Sequence, residues 1–419
     1  MSRYVVISTD CHGGADLRDY KPYLESRWHD EFDRWADGFF DLWGDIDPDS
    51  EFKAGVSSYL SPLNWESGKR TEALEAEGIA AEVIFPNTVP PFFPVGVLAA
   101  PGPRSRAEYE RRWAGLRAHN RWLVDFCGEL PGRRFGLAQL LIDDVDDAVA
   151  EIRWAKEAGL RGALLPSDHH LKLHHLYYLK YEPIWAVCEE LDMPIGRHGS
   201  VVSSDEETDS LAAAHACGVF ETTYFSQRTL AQLIFSGVFD RHPRLKFTFT
   251  EVGTGTWVID QVPLLDGFVQ SALTPGSIAG MFARDALSEL KQRPGDYCRE
   301  NIWVSSMFTG TDMPRRHEIG LDRLMWGADF PHHEGTAPHS LKVLRRTMQD
   351  VPEDEARRLL AGTAAELYGA DLEFLQTVAD RVGPTPEEVA TPVRPEEVPD
   401  DPNFWYLGGR GGLRVEQAR

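Results

Sequence analysis

Four side chains in this 419-residue sequence are of types that hold a divalent metal. They are Asp10 and His12 in Thr9-Asp10-Cys11-His12, His198 in Arg197-His198-Gly199, and Asp329 in Gly327-Ala328-Asp329-Phe330-Pro331. Imidazoles and carboxylates become a metal site when a rigid scaffold brings them together. In extended chain, residues two apart point to the same side, so Asp10 and His12 can share a face. One such residue after a strand commonly caps a turn or helix instead. All four follow apolar, β-rich runs, and that company predicts one divalent metal, zinc first and manganese as the alternative.

Three further groups could act on a substrate beside that metal. Glu251, in Thr250-Glu251-Val252-Gly253, could polarise substrate, serve as an acid, complete the metal shell, or cap the glycine turn that follows it. Asp329 could double as general base, and His332 in Pro331-His332-His333 could reach substrate or order Asp329. Arg197, next to His198, would suit an acidic substrate or a structural ion pair. His169, His170, His174 and His175 form a cluster that reads as a polar loop near the site and is assigned no metal.

The elements that must position these groups alternate short β-rich runs with longer helical ones, the pattern of a parallel sheet wrapped by helices. Strands are expected at residues 4–8, 81–85, 134–140, 162–165, 194–197, 246–250, 302–305 and 324–327. Helices are expected at 106–130, 143–158, 183–191, 222–236, 337–348 and 353–368. Eight strands suffice to close a (β/α)₈ barrel, an α/β fold whose sites sit at the carboxyl ends of the strands. Residues 15–68 interrupt the repeat and are read as a cap inserted over the barrel mouth, with Trp, Phe and Tyr between 28 and 65 packing it or lining a pocket. Residues 199–220 are read as a long active-site loop. The barrel domain then spans 1–379. Residues 380–419, rich in Pro and Glu, form a C-terminal arm whose Phe404-Trp405-Tyr406 docks on its own barrel or on a second subunit of a homodimer.

A net charge of −23 argues against nucleic-acid partners, because the chain would repel phosphates. No apolar run approaches the ~20 residues of a membrane span, and the first residues lead into a strand-like run rather than an export signal. Five scattered cysteines with no CxxC pair favour a reducing compartment, so a cytoplasmic enzyme with a small-molecule substrate is expected.

The pattern resembles the amidohydrolase superfamily, in the amidohydrolase-related branch that includes aminocarboxymuconate-semialdehyde decarboxylase and the resorcylate decarboxylases. The resemblance runs over about residues 3–370. That family carries His, Glu or Asp two residues before a His on its first strand, a His after the fifth, and an Asp in Gly-[Ser/Ala/Thr]-Asp-[aromatic]-Pro after the eighth. Asp10, His12, His198 and Asp329 match those positions. Two departures matter. Binuclear members carry a lysine on the fourth strand; here residues 162–167 hold none, which implies one metal. The decarboxylases usually carry a His on the sixth strand, where this chain has Glu251.

A divalent metal lowers the pKa of bound water from about 15.7 towards about 7, which would make a nucleophile for an amide, ester, lactone or activated C–C bond. A charged Glu251 would help deprotonate that water and would repel a substrate carboxylate. Hydrolysis is therefore the first expectation. Non-oxidative decarboxylation of an aromatic or unsaturated acid is the alternative, and a non-catalytic metal- or ligand-binding barrel the third.

Overall fold

The computed structural model describes residues 2–39, 61–166, 174–199 and 211–399. Eight strands pair in parallel in the order of the chain: β1 (Ile7–Gly13), β2 (Ala81–Pro86), β3 (Arg134–Gln139), β4 (Gly162–Leu164), β5 (Ile195–His198), β6 (Phe247–Thr250), β7 (Ile302–Ser306) and β8 (Leu324–Trp326). The ring closes where β8 returns to β1: Cys11 bridges Phe330, the His12 amide donates to the Phe330 carbonyl at 2.6 Å, and the Asp329 amide donates to the Asp10 carbonyl at 2.8 Å. This is the (β/α)₈ barrel.

Period-two alternation sorts the side chains. Val5, Ile7, Val83, Phe85, Phe135, Leu137, Leu164 and Met325 form one buried cluster inside the ring. Their neighbours Val6, Ile84, Ala138, Ala163, Leu324 and Trp326 face outward into the helix layer. That layer contains α1 (His29–Gly38), α2 (Ser67–Ala76), α3 (Arg106–Gly128), α4 (Val145–Glu157), α5 (Glu182–Glu190), α6 (Leu211–Phe220), α7 (Tyr224–Phe235), α8 (Trp257–Leu273), α9 (Ile278–Leu287), α10 (Pro294–Asn301) and α11 (Ser340–Met348). Local chemistry sets several starts: Ser105 accepts from the Glu108 amide at α3 and Asp144 from the Asp147 amide at α4, while Asp146 and Asp147 suit the α4 dipole.

The structure departs from the sequence reading in four places. β1 begins and ends later than residues 4–8, because a register shift between Ser8 and Cys11 lets pairing with β2 continue to Gly13, so Asp10 and His12 lie within the strand. The aromatic stretch of the 15–68 segment packs sideways: Leu24, Phe32 and Ala36 join Phe92 against Ala114 and Ala118 of α3, and Trp28, Phe32 and Trp35 pack with Phe92. Residues 40–60 lie outside the described residues. The segment read as a 199–220 loop contains α6, with 200–210 outside the description. The boundary at 379/380 falls inside a helix, Leu372–Val382, and the chain beyond it packs on its own barrel, the Tyr4 amide donating to the Pro384 carbonyl at 2.8 Å and Arg345 pairing with Glu397. Phe404, Trp405 and Tyr406 lie outside the described residues. Among the described residues, no helix is long and apolar enough to cross a membrane.

Candidate metal centre

Asp10, His12, His198 and Asp329 converge at the carboxyl ends of β1, β5 and β8. His12 Nε2 lies 3.3 Å from Asp10 Oδ1 and 3.2 Å from Asp329 Oδ1, and His198 Nε2 lies 3.3 Å from Asp10 Oδ1. Glu251 Oε2 is 3.5 Å from His198 Nε2, and His332 Nδ1 is 2.8 Å from Asp329 Oδ1. Potential ligand atoms form three overlapping groups, Asp10–His12–His198, His12–Asp329–His332 and Asp10–Glu251–Asp329, with atoms within 4.8 Å of one another in each.

The backbone explains how six side chains fit so closely. Gly327 is required because a Cβ there would come within 2.5 Å of the Asp10 Cβ. Glu251 and Asp329 both take the left-handed conformation, each with φ of 54°, which turns their carboxyls inward at the ends of their strands. Such backbone strain in non-glycine residues is concentrated at functional sites.

The outer contacts prepare the imidazoles to ligate. His12 Nδ1 donates to the Pro86 carbonyl at 3.0 Å and His198 Nδ1 to the Gly199 carbonyl at 2.6 Å. Each bond fixes the tautomer that leaves Nε2 with a lone pair. His332 is set by a chain of amides: Asn64 donates to the Ser61 carbonyl, Asn87 donates to Asn64 Oδ1 at 2.6 Å, and Asn87 Oδ1 therefore accepts from His332 Nε2 at 3.0 Å. That turns His332 Nδ1 towards Asp329. The His12 ring stacks on His332 at 3.8 Å between centroids.

The donor set fits a cation. His12 Nε2 and both Asp329 carboxylate oxygens are buried with no aligned hydrogen bond, although their contacts with one another are short. Polar atoms buried this way are costly unless a ligand meets them. Burial by itself would lower the His12 pKa, but the carboxylates of Asp10 and Asp329 beside its Nε2 push it up to about 10 in the metal-free protein. Burial would raise the Asp329 carboxyl, yet His332 and His12 hold it well below the usual carboxylate range. Asp10 is likewise held low, its burial outweighed by His198 and His12. Two imidazoles and two ionised carboxylates are a donor set that fits a divalent metal. Protein purified without chelator is expected to carry about one divalent ion per chain by elemental analysis; two tightly held ions would contradict a single site.

Not every group expected at the centre joins it. Arg197 alternates with His198 on β5 and so faces the helix layer, where its guanidinium donates to the Pro166 carbonyl at 2.6 Å. A charged side chain so close in sequence was a poor guide to which face it would take. His175 stacks on Tyr177 and meets Arg228, and it belongs to none of the metal-type groups found among the described residues; His169 and His170 lie outside the description. Conversely, the sequence reading overlooked Asn64 and Asn87. Only Asn87, which immediately follows the end of β2, carried a signal, a polar residue at the catalytic end of a strand.

With the geometry in place, comparison with known proteins gives a family. A family model described as Amidohydrolase matches residues 46–370, and the chain belongs to that family. Gamma-resorcylate decarboxylase from Polaromonas sp. strain JS666 is 27% identical over 287 residues, which is 65% of this chain and 81% of the relative. The structure of 5-carboxyvanillate decarboxylase from Novosphingobium aromaticivorans, complexed with manganese and 4-hydroxy-3-methoxy-5-nitrobenzoic acid, is 18% identical with a TM-score of 0.60, covering 87% of this chain and 96% of that one. The dihydroxybenzoic acid decarboxylase from Polaromonas sp. JS666, with bound manganese and 2-nitroresorcinol, is 19% identical with a TM-score of 0.56, covering 87% and 97%.

Proposed function

We propose that this protein is a divalent-metal-dependent, non-oxidative decarboxylase of a hydroxylated aromatic acid. The observation that carries the reading is the position of Glu251 at the edge of the metal-type cluster, its Oε2 3.5 Å from His198 Nε2 and its carboxyl grouped with those of Asp10 and Asp329. Glu251 is pushed well above the ordinary carboxylate range, first by burial and then by the charges of Asp329 and Asp10. Asp329 is held well below it. A pair driven apart in this way divides acid and base roles between its members.

The first expectation, hydrolysis, rested on a charged Glu251 that would repel a substrate carboxylate. A Glu251 whose pKa is raised repels one less. It can instead supply the proton that a ring carbon takes up as carbon dioxide leaves. The named relatives, decarboxylases of hydroxybenzoates and carboxyvanillate, support the same chemistry.

Asp10, His12, His198 and Asp329 would hold the metal, and manganese suits a set that Glu251 can enrich with oxygen. When bound, the cation supplies a positive anchor for the substrate carboxylate and an adjacent hydroxyl oxygen. With a cation bound nearby, the Glu251 carboxyl would release its proton more readily than in the metal-free protein. Glu251 delivers its proton to the ring carbon, the carbon–carboxylate bond breaks, and solvent reprotonates Glu251. Asp329, kept ionised by His332 and His12, stays a ligand and does not compete as the donor.

A panel of hydroxybenzoates, amides, esters and lactones, incubated in ¹⁸O-labelled water and separately in deuterium oxide, tests the assignment. Stoichiometric carbon dioxide, deuterium on the ring carbon and no solvent oxygen in the organic product are expected. Solvent oxygen in a product formed without carbon dioxide would make the enzyme a hydrolase.

A further inference from the structure

One side-chain amide inside the barrel makes no hydrogen bond. Gln139, the last residue of β3, is fully buried, and among the described residues neither its Nε2 nor its Oε1 has a partner. Leu137 packs within the ring and Ala138 in the helix layer, so alternation turns Gln139 into the barrel. Its height follows from the register. His12 pairs with Phe85, Ile84 with Gly136, Leu137 with Gly162 and Ala163 with Ile195. In a barrel of this kind, with a shear of about eight, the level climbs about one residue per strand. The level of His12 then meets β3 at Gln139 and β5 at His198, the imidazole whose ring lies 4.8 Å from that of His12. Gln139 therefore shares a layer with two of the metal-type histidines. β3 lies across the ring from β7, the strand between those that carry Glu251 and Asp329.

The main chain of Gln139 is held although its side chain is not. Pairing of β3 with β2 ends at Gly136, and Asn120 of α3 takes over, its Oδ1 accepting from the Gln139 amide at 2.9 Å and its Nδ2 donating to the Gln139 carbonyl at 3.0 Å. Asn120 Nδ2 also donates to Glu151 Oε1 of α4 at 2.9 Å, and Arg121 pairs with the same carboxylate. Burying an amide without a partner opposes folding. A strand end braced so firmly keeps that amide aimed at one place, as a binding group requires.

We propose that Gln139 is a specificity-determining residue that binds a ring hydroxyl of the aromatic acid, one other than the hydroxyl beside the metal; this rests on the decarboxylase reading above. The amide is neutral, so the cation rather than Gln139 attracts the substrate carboxylate. A hydroxyl suits the amide in either sense, donating to Oε1 or accepting from Nε2. A ring that offers its carboxylate-bearing carbon to Glu251 turns its far edge towards β3. An acid lacking that hydroxyl leaves the amide buried and unpaired, which is how a polar site rejects an analogue missing one group.

Calorimetric titration of manganese-loaded protein with unreactive probes tests this assignment. The probes are 2-nitrophenol and each nitrobenzenediol that adds one hydroxyl to it, 2-nitroresorcinol among them. Wild type is expected to bind at least one diol roughly 10–100-fold more tightly than 2-nitrophenol. Gln139→Met and, separately, Gln139→Leu should lose most of that gain while binding 2-nitrophenol as wild type does. Metal-free Gln139→Met should also melt no lower than metal-free wild type, because an apolar side chain of similar shape removes an unpaired amide from the interior. Two variants guard against one repacking badly. A gain that survives in both variants, a wild type that gains from no diol, or a Gln139→Met protein that melts well below wild type would overturn the proposal. Carbon dioxide release in the turnover experiment judges the decarboxylase reading separately, so the two failures are distinguishable.

Discussion

Glu251→Gln is expected to fold, to keep its metal content, and to lose a factor of ~10²–10⁴ in kcat, the usual worth of a positioned proton donor. The amide keeps the shape of the carboxyl but cannot deliver a proton to carbon. KM should change far less, because Glu251 touches His198 rather than closing the metal set by itself. Glu251→His is the sharper partner experiment. It restores the imidazole expected of related decarboxylases, and histidine tolerates the left-handed backbone at φ 54° better than most residues do. It should recover a substantial part of the lost rate. A Glu251→Gln enzyme within a few-fold of wild-type kcat would remove Glu251 from the reaction.

The same substitution has a stability signature whose sign is fixed by the direction of the shift. Native Glu251 holds its proton above the pH at which an unfolded glutamate, with a pKa of about 4.3, releases one. Over that window the native chain binds more protons than the unfolded chain, so wild-type stability falls as pH rises. Metal-free Glu251→Gln lacks that loss and should melt higher than metal-free wild type at neutral pH, with the gap closing towards pH 4. A Tm difference that is flat with pH would place the native carboxyl in its ordinary range.

The barrel was legible in the sequence because inward and outward side chains alternate, and the breaks between strands and helices carry their own turn chemistry. The metal set was legible because Gly327-Ala328-Asp329-Phe330-Pro331 and the Asp10/His12 spacing are short-range features. What could not be read was decided at longer range. The true span of β1 depends on a register shift against β2, and the side that Arg197 faces depends on where β5 begins its alternation. The protonation of Glu251 depends on Asp329 and Asp10, which chain folding brings to it from distant strands. Residue type identified the carboxyl, but only its surroundings, burial first among them, raise its pKa. Where the aromatic residues at 28–35 pack was likewise beyond local reading: they are core-like in any context, and the Ala114 and Ala118 face of α3 determines their place.

A buried charge cluster outside the ring is expected to show the largest stability effect of any single substitution considered. Glu82 on β2 points into the helix layer, where Arg70 of α2 donates to it through Nε and Nη2 at 3.0 and 2.5 Å and Arg134 of β3 through Nε at 3.3 Å. All three side chains are essentially sealed from solvent. Arg70 Nη1 also donates to the carbonyls of His12 at 2.7 Å and Leu63 at 2.8 Å, so the cluster braces the strand that carries two metal ligands. Glu82→Gln would leave two buried guanidiniums with only the exposed Glu129, 4.0 Å from Arg134 Nη1, as a carboxylate partner, and breaking a buried ion pair from one side costs about 3–5 kcal/mol. Burial alone would raise the Glu82 carboxyl, but Arg70 and Arg134 hold it below the usual range. Its contribution is therefore fully present above the unfolded glutamate pKa of about 4.3 and is lost as pH falls through the lower native value. Denaturant unfolding with chelator present, so that metal binding does not enter, should show wild type and Glu82→Gln converging as the pH drops. Adding Arg70→Met to Glu82→Gln should recover part of the loss, since it removes one of the two uncompensated charges. A Glu82→Gln cost below about 1 kcal/mol, the range of a solvent-exposed pair, would show that the cluster does not brace β1.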